Sequence, residues 1–314
     1  MAIRKNNLID IVIVNWNSGV QLAQCISSVV ASKNSEHLQI YVVDNGSTDE
    51  SLHLIETHPR IEYIKAGINL GFGKACNIGA NLGSSELILF LNPDATLNYT
   101  TLERALAFMK SRQNIQTGIC GVQLLDEDSR VAKSCSRFPT PVRLAIHASG
   151  LDRFWHLVGT RMAEWPHDHT REVDQVIGAF FMVRRKVFQE LCGFDERFFM
   201  YYEEVDFSRR AQNSGWRTVY FANAQAFHAG GGTSHQIKAR RLFYSLRSRL
   251  LYAFKHFGLL GAWLVLLTTL FLEPFTRSAY ALMRGSWTSI KETWSGYTML
   301  WSWLPQWVLK GVTR

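Results

Sequence analysis

The run Glu86-Leu-Ile-Leu-Phe-Leu-Asn92-Pro93-Asp94 constrains this chain more than any other stretch. Five apolar residues, Leu87 to Leu91, follow one another without a polar break. A run of that length, bounded by polar residues, suits a strand covered on both faces in a parallel sheet. Pro93 cannot continue a central strand, so the chain turns out there. Asp94 is thereby delivered to the carboxyl edge of the sheet, where open α/β folds bind ligands. Asn-Pro-Asp is also ordinary turn chemistry, so the rest of the chain has to decide between the two readings.

The preceding segments supply a rhythm. Strands are predicted at 9–14, 39–43 and 61–65, and helices at 20–31 and 51–56. A glycine-rich turn, Gly67 to Gly73, runs into a helix through Leu82. This β-α-β-α-β-α-β order predicts a mostly parallel sheet flanked by helices, an α/β fold. Beyond Asp94, the pattern predicts a helix at 100–110, capped by Thr100 or Thr101, and a strand at 118–125. Residues 126–172 carry Pro139, Pro141 and Pro166 with little period, and predict a long, partly irregular excursion of the functional kind. A strand at 176–183, a short helix at 186–192, a helix ending near Asn213 and a strand at 218–221 follow, with His228 just beyond.

Composition narrows the classes. The five cysteines are odd in number, scattered and free of any C-x-x-C pair. That argues against a disulfide framework or zinc site and for a reducing compartment. The opening Met-Ala-Ile-Arg-Lys-Asn-Asn leads into a strand pattern and not a signal-peptide core. Charge is unevenly placed: 240–314 holds ten Lys/Arg against two Asp/Glu, whereas 1–239 balances at 24 against 24. Six of the ten tryptophans also lie in that tail. Two parts with different tasks are expected, 1–236 and a helical 237–314.

Chemistry-bearing residues cluster where strands end or helices begin: Asn15-Trp16-Asn17, Asp44-Asn45-Gly46-Ser47, Asn92-Pro93-Asp94 and Glu203-Glu204-Val-Asp206. His228 follows the last strand. Asp94 with His228 suits a hard divalent cation, Mg²⁺ or Mn²⁺, with positions left open for phosphate oxygens. Glu204 suits a general base acting on an attacking hydroxyl. Each has a plainer reading. The carboxylates could be a solvated first helical turn favoured by the helix dipole, and His228 a satisfied structural histidine. Gly71-Phe-Gly73 fails as a dinucleotide loop, because the third glycine position is Cys76 and the turn follows the third strand.

Taken in order, these stretches resemble the inverting family 2 glycosyltransferases of the GT-A fold, in their rhamnosyltransferase-like branch. The matching segments are Ile-Val-Asn15-Trp16-Asn17, Val-Val-Asp44-Asn45-Gly46-Ser47-Thr48-Asp49, Asn69-Leu-Gly71-Phe72 through Asn77-Ile-Gly79, Leu-Asn92-Pro93-Asp94, Gly178-Ala179-Phe, Gly193-Phe194-Asp195-Glu196 through Asp206, and His228-Ala-Gly230-Gly231. The resemblance implies that Asn15 and Asp44 contact the nucleoside, and that Asn69, Gly71, Asn77 and Asn92 line the donor pocket. It implies Asp94 and His228 as metal or diphosphate contacts. Glu204 would be the catalytic base, with Glu203, Asp206 and Gly178 supporting it or touching the acceptor. Asn92 departs from the aspartate that many relatives carry first in the motif, so one carboxylate on the metal is expected from it, not two. Implied partners are a nucleoside-diphosphate sugar, dTDP-rhamnose or a UDP-sugar, and a glycan or polyprenyl-linked acceptor in cell-surface polysaccharide synthesis.

The tail reads differently. Residues 240–255 interleave basic and apolar side chains at helical spacing, which fits a membrane-surface helix. Residues 258–272 are apolar for fifteen positions, short of the ~20 a spanning helix needs. Glu273-Pro274 is expected to break that run, leaving an interfacial segment or a hairpin with 278–283. A cytoplasmic enzyme, peripheral on the inner membrane face, is expected; a helical cap or dimer interface is the plainer alternative. Nucleic-acid binding is not expected beside such an apolar run. A non-catalytic nucleotide-sugar-binding scaffold is the alternative function. A sugar nucleotidyltransferase would want a glycine/arginine-rich triphosphate loop where Asn15-Trp16-Asn17-Ser18 stands.

Overall fold

The computed structural model describes residues 7–153, 155–230 and 238–313. The boundary expected at 236/237, and Gly231 of the last motif, lie outside the described residues. The chain divides into two compact units. One comprises Met1–Ser136, Trp165–Glu196 and Glu204–Thr233; the other comprises Arg137–Glu164, Arg197–Glu203 and Ser234–Arg314.

The first unit is built on one sheet. Strands β1 (Ile9–Asn15), β2 (Leu38–Asp44), β3 (Ile61–Lys65) and β4 (Leu87–Leu91) lie in the order β3-β2-β1-β4, all parallel. Helices α1 (Val20–Val30) and α2 (Phe72–Leu82) make the crossovers between them. Ser51–Leu54, expected as α-helix, is one 3₁₀ turn. The sheet continues through strands of mixed direction: β5 (Ala95–Leu97), β6 (Thr117–Leu125), β8 (Arg171–Val173), β10 (Phe180–Arg184) and β11 (Arg217–His228). Helix α3 (Thr101–Lys110) separates β5 from β6. Thr101 does not cap it; its hydroxyl is spent on the Gln225 carbonyl.

β10 runs antiparallel between β4 and β6. The apolar run expected to be one strand from Val176 is split. β9 (Gln175–Val176) pairs with β7 (Cys135–Ser136) in a separate ribbon, and β10 starts only at Phe180. The other large departure is β11. Four residues were expected; twelve form, passing a register shift between Phe221 and Gln225 to pair with β5.

Alternation along β4 explains its burial on both sides. Leu87, Leu89 and Leu91 join Ile11, Ile13, Leu22 and Cys25 in one core beneath α1. Phe90 points the other way into a cluster with Phe181, Phe188, Phe194 and Phe207. Each buried ring contributes about 1.5–3 kcal/mol by area. This cluster seats both α5 (Arg185–Glu190) and α6 (Glu203–Asn213), since Phe188 lies on the first and Phe207 on the second. At the amino end of the sheet, buried Asp10 accepts from Arg185 Nη2 at 2.7 Å and from the Ser85 amide at 2.8 Å.

The second unit is helical. Its members are α4 (Pro141–Ser149), α7 (Lys238–His256), α8 (Leu259–Leu267), α9 (Glu273–Met283) and α10 (Trp287–Lys310). Glu273-Pro274 does not break the chain: α8 passes through a π-helical segment, Thr268–Leu272, into α9 as one helix of 25 residues. Proline removes a donor and crowds the preceding turn. A widened turn just ahead of it relieves that crowding, so no hairpin forms. The surface role expected for all the basic residues of α7 is also corrected. Arg247 and Arg249 are buried. Arg249 pairs with Glu273, which also accepts from Arg277 Nε at 2.8 Å. Burial alone would raise the Glu273 carboxyl, but the two arginines outweigh it and hold it down at about 2.

Candidate functional site

Sheet order fixes where the site lies. β1 stands between β2 and β4, the point where the winding reverses, and the carboxyl ends of these strands share the edge at which open α/β sheets bind ligands. β1 and β2 end together, with Asn15 paired to Asp44. Ile13 pairs with Leu91, which brings the Asn92-Pro93-Asp94 turn to the same edge.

Asn15 and Asp44 are both buried there, and Asn15 Nδ2 donates to Asp44 Oδ1 at 3.0 Å. The same amide faces the hydroxyls of Ser47 at 3.0 Å and Ser51 at 2.8 Å. Asn15 therefore orients the Asp44 carboxylate, and its own Oδ1 is buried with no hydrogen-bond partner among the described residues. Asp49 accepts from the Gly19 amide at 2.9 Å and the Ser51 hydroxyl at 2.6 Å. Burial pushes its pKa up, but these donors outweigh burial and leave it lowered.

A second set of bonds ties this loop to the glycine-rich turn. Asn45 Nδ2 donates to Asn69 Oδ1 at 3.0 Å, and Asn45 Oδ1 accepts from the Leu70 amide at 2.8 Å. Asn69 Oδ1 also accepts from the Gly71 amide at 3.0 Å. The approach is close enough to require Gly46, where a Cβ would stand 2.7 Å from the Ile68 carbonyl carbon and 2.8 Å from the Asn69 nitrogen. Asn45 is a positioning residue absent from the site expected by sequence; the Asp-Asn-Gly turn was its only local signal.

Asp94 meets His228 through β-sheet register. β11 pairs antiparallel with β5, setting His228 opposite Ala95, the residue after Asp94. His228 Nε2 then lies 3.3 Å from Asp94 Oδ1, and each side chain is largely enclosed with an edge in solvent. A carboxylate oxygen and an imidazole nitrogen are donors that Mg²⁺ and Mn²⁺ accept. Among the described residues no cluster of three or more His, Cys, Asp or Glu side chains forms a complete metal cage. Two protein ligands would leave the remaining positions to ligand oxygens and water. Asn92 is half-buried, and its backbone carbonyl accepts from the Ala95 amide at 3.1 Å.

Glu204 is the second residue of α6, which opens at Glu203 directly after Tyr201 and Tyr202, two residues with left-handed φ of 67° and 70°. Consecutive non-glycine residues in that region store strain, which concentrates at functional sites. Glu204 keeps some accessible surface, but its Oε2 is enclosed with no hydrogen-bond partner among the described residues. Burial raises its pKa, opposed by the backbone amides of Glu204 and Val205. No hydrogen bond or ion pair among the described residues joins Glu204 to Asp94 or His228.

Other expected site residues are committed to structure. Asn77 Oδ1 accepts from the Phe194 amide and its Nδ2 donates to the Phe194 carbonyl, both at 2.9 Å, so it fixes the loop ahead of α6. Asp206 is wholly buried and accepts from Arg210 Nε at 2.7 Å. Arg210 in turn donates to the carbonyls of Leu191 at 2.6 Å and Gly193 at 2.9 Å. Asp206 thus braces α6 and does not reach solvent to touch an acceptor. Glu203 is buried as well. Gly178 faces open space: a Cβ at that position would meet nothing nearer than Phe72 Cε1, 4.0 Å away.

A solved mannosyltransferase, PcManGT from Pyrobaculum calidifontis in complex with GDP-Man and Mn²⁺, superposes with a TM-score of 0.58 at 17% identity, covering 99% of this chain and 85% of that one. The fold is that of the GT-A glycosyltransferases. The glycosyl transferase family 2 model matches residues 10–192, more than half the chain, and the chain belongs to that family. An N-acetylglucosaminyl-diphospho-decaprenol L-rhamnosyltransferase of Mycobacterium tuberculosis is 29% identical over 237 residues, covering 71% of this chain and 76% of that protein. Rhamnosyltransferase WbbL of Escherichia coli K12 is 24% identical over 229 residues, covering 70% and 83%. The chain is a rhamnosyltransferase-like enzyme of glycan synthesis.

Proposed function

We propose that this enzyme transfers a sugar, rhamnose or a related deoxysugar, from a nucleoside-diphosphate donor to a hydroxyl of a polyprenyl-linked glycan at the cytoplasmic face of a membrane. The observation that carries the reading is the 3.3 Å approach of His228 to Asp94 at the carboxyl edge of the sheet. A divalent cation held by this pair would neutralise charge on the departing diphosphate. The names of the two rhamnosyltransferases favour the donor sugar, and the first favours a polyprenyl-diphosphate acceptor.

The chain's own residues divide the work. Asp44, oriented by Asn15, meets the nucleoside. Asn69, Gly71 and Asn92 line the donor pocket, with Asn45 holding the two loops in register, and Asn77 fixes the Phe194 loop ahead of α6. Gly178 leaves room beside the acceptor. Glu204 as carboxylate takes the proton of the acceptor hydroxyl. That oxygen forms its bond to the anomeric carbon while the bond from that carbon to the diphosphate oxygen breaks. The proton ends on Glu204, the electron pair on the nucleoside diphosphate, and one displacement inverts the anomeric centre. Glu203 and Asp206 hold the base-bearing turn in place. A carboxyl whose pKa burial raises is a stronger base than an exposed one, which suits proton abstraction near neutral pH.

A thermal-shift screen of nucleoside diphosphates and their sugars, with Mg²⁺ or Mn²⁺, tests the reading. A ligand at ~100 Kd that binds only folded protein adds about 2.7 kcal/mol of stability. The expected result is a shift with dTDP or UDP that needs the cation. No shift with any nucleoside diphosphate would refute the reading.

A further inference from the structure

The helix Leu259–Met283 has two unlike faces. Ala262, Val265, Thr269, Glu273 and Ala281 are buried, and α8 and α9 pack against α7, α4 and α10 within their unit. On the other side Leu260, Leu264, Leu267, Phe271, Phe275 and Leu282 are exposed, Leu260 at 90%. They recur every three or four positions except across one wider gap, so they form a single stripe. At 1.5 Å per residue the stripe runs about 33 Å, a longer apolar surface than a soluble monomer ordinarily leaves bare.

Its surroundings identify what covers it. Near one end the Arg153 and Arg284 guanidiniums lie 3.8 Å and 5.1 Å from the Tyr280 ring centroid. Trp263 and Trp287 are exposed along its length and just past it. Of the basic residues in the 240–314 segment, Arg247 and Arg249 are buried, whereas Arg240, Arg241, Arg284, Lys291 and Lys310 are exposed. Tryptophan, tyrosine and arginine around an apolar stripe match the headgroup boundary of an anionic leaflet. A second copy would bring the same positive charge against it.

We propose that this helix lies in the plane of an anionic leaflet, sinks its Leu260-to-Leu282 stripe to the acyl boundary, and does not cross the bilayer. The inference deepens the reading of a lipid-linked acceptor and rests on it. Length alone would permit crossing. The buried face forbids it. Glu273 is ion-paired to Arg249 of α7, so a crossing helix would carry α7, with Arg240, Arg241 and Lys255, into hydrocarbon. Lying flat keeps those charges on the water side.

The test adds the full chain to preformed vesicles of phosphatidylcholine and phosphatidylglycerol. The protein floats with them, and Leu267→Glu with Phe271→Glu lowers the bound fraction at least tenfold. On a Cys192→Ser background, Gly258→Cys and Lys291→Cys both react with a membrane-impermeant maleimide added outside. A thiol that reacts only after detergent means the helix crosses, and overturns the proposal. Wild-type protein that fails to float but is dimeric, and becomes monomeric on the double substitution, assigns the stripe to a second copy and overturns it too. The cation-dependent shift with dTDP or UDP is read on the same preparations, so loss of membrane binding is told apart from loss of the transferase reading.

Discussion

Glu204→Gln is expected to lower kcat by about 10²–10⁴-fold, the range a positioned general base contributes, while nucleoside-diphosphate affinity stays near wild type. The same substitution is expected to leave the protein as stable or more so. Burial raises the Glu204 pKa in the folded state. The folded chain therefore holds that proton more tightly than the unfolded chain, and this group's contribution to stability falls as pH rises through the raised pKa. Glutamine keeps the shape and cannot ionise, so the loss disappears. Activity lost with melting temperature kept or raised is the signature of a catalytic carboxylate and not of a structural one. The acid limb of the wild-type kcat/KM profile, set by the same carboxyl, lies above the usual glutamate range. Steady-state kinetics and a melting curve on one preparation check all three. Wild-type turnover in the variant would remove Glu204 from the mechanism.

Asp94→Ala is expected to weaken cation-dependent binding of the nucleoside diphosphate by at least about tenfold, ~1.4 kcal/mol. The fold should survive, because Asp94 lies at the end of the sheet with an edge in solvent, outside the Leu87–Leu91 core. Calorimetric titration with Mn²⁺ and then with EDTA separates the causes. Wild type and variant should differ with the cation present and converge when it is chelated. Equal affinity under both conditions would show that the Asp94–His228 pair holds no cation for the donor.

The parts of this architecture that were legible in the sequence are those set by local pattern. Leu87–Leu91, its proline stop and Asp94 at the strand end follow from a five-residue run. The crossovers before it follow from alternating strand and helix periods, and β1 to β4 are parallel as that rhythm implies. Strand direction is not written in a period, so Phe180–Arg184 gave no sign of lying antiparallel beside β4. His228 reaches Asp94 only because β11 runs past an irregularity at Phe221 to find a three-residue partner, β5. That pairing joins residues more than a hundred positions apart, and periodicity carries no such information. The tail shows the opposite failure. Local rules for proline and for basic residues predicted a break at Pro274 and an exposed Arg249. A π turn and the Glu273 carboxylate overrode both.

Within the site, motif residues turned out to differ in kind. Asn77 and Asp206 stood beside Asp94 and Glu204 as equals in the sequence. Their bonds to Phe194 and Arg210 make them braces for the loop and helix that carry Glu204. Asn45 was named with its motif but given no role, although its amide joins the loop after β2 to the glycine-rich turn after β3. A side chain's type and position in a motif indicate where it lies along the chain. Only its partners say whether it faces a ligand or holds another residue that does.

The central claim is that Asp94, His228 and Glu204 serve one reaction centre. A crystal structure of the enzyme with dTDP or UDP and Mn²⁺ tests it most directly. The account predicts Mn²⁺ bound by Asp94 and His228 at the diphosphate, with the Glu204 carboxylate across the space that the sugar's anomeric carbon would occupy. A diphosphate bound away from Asp94, or a Glu204 walled off from it by protein, would contradict the account.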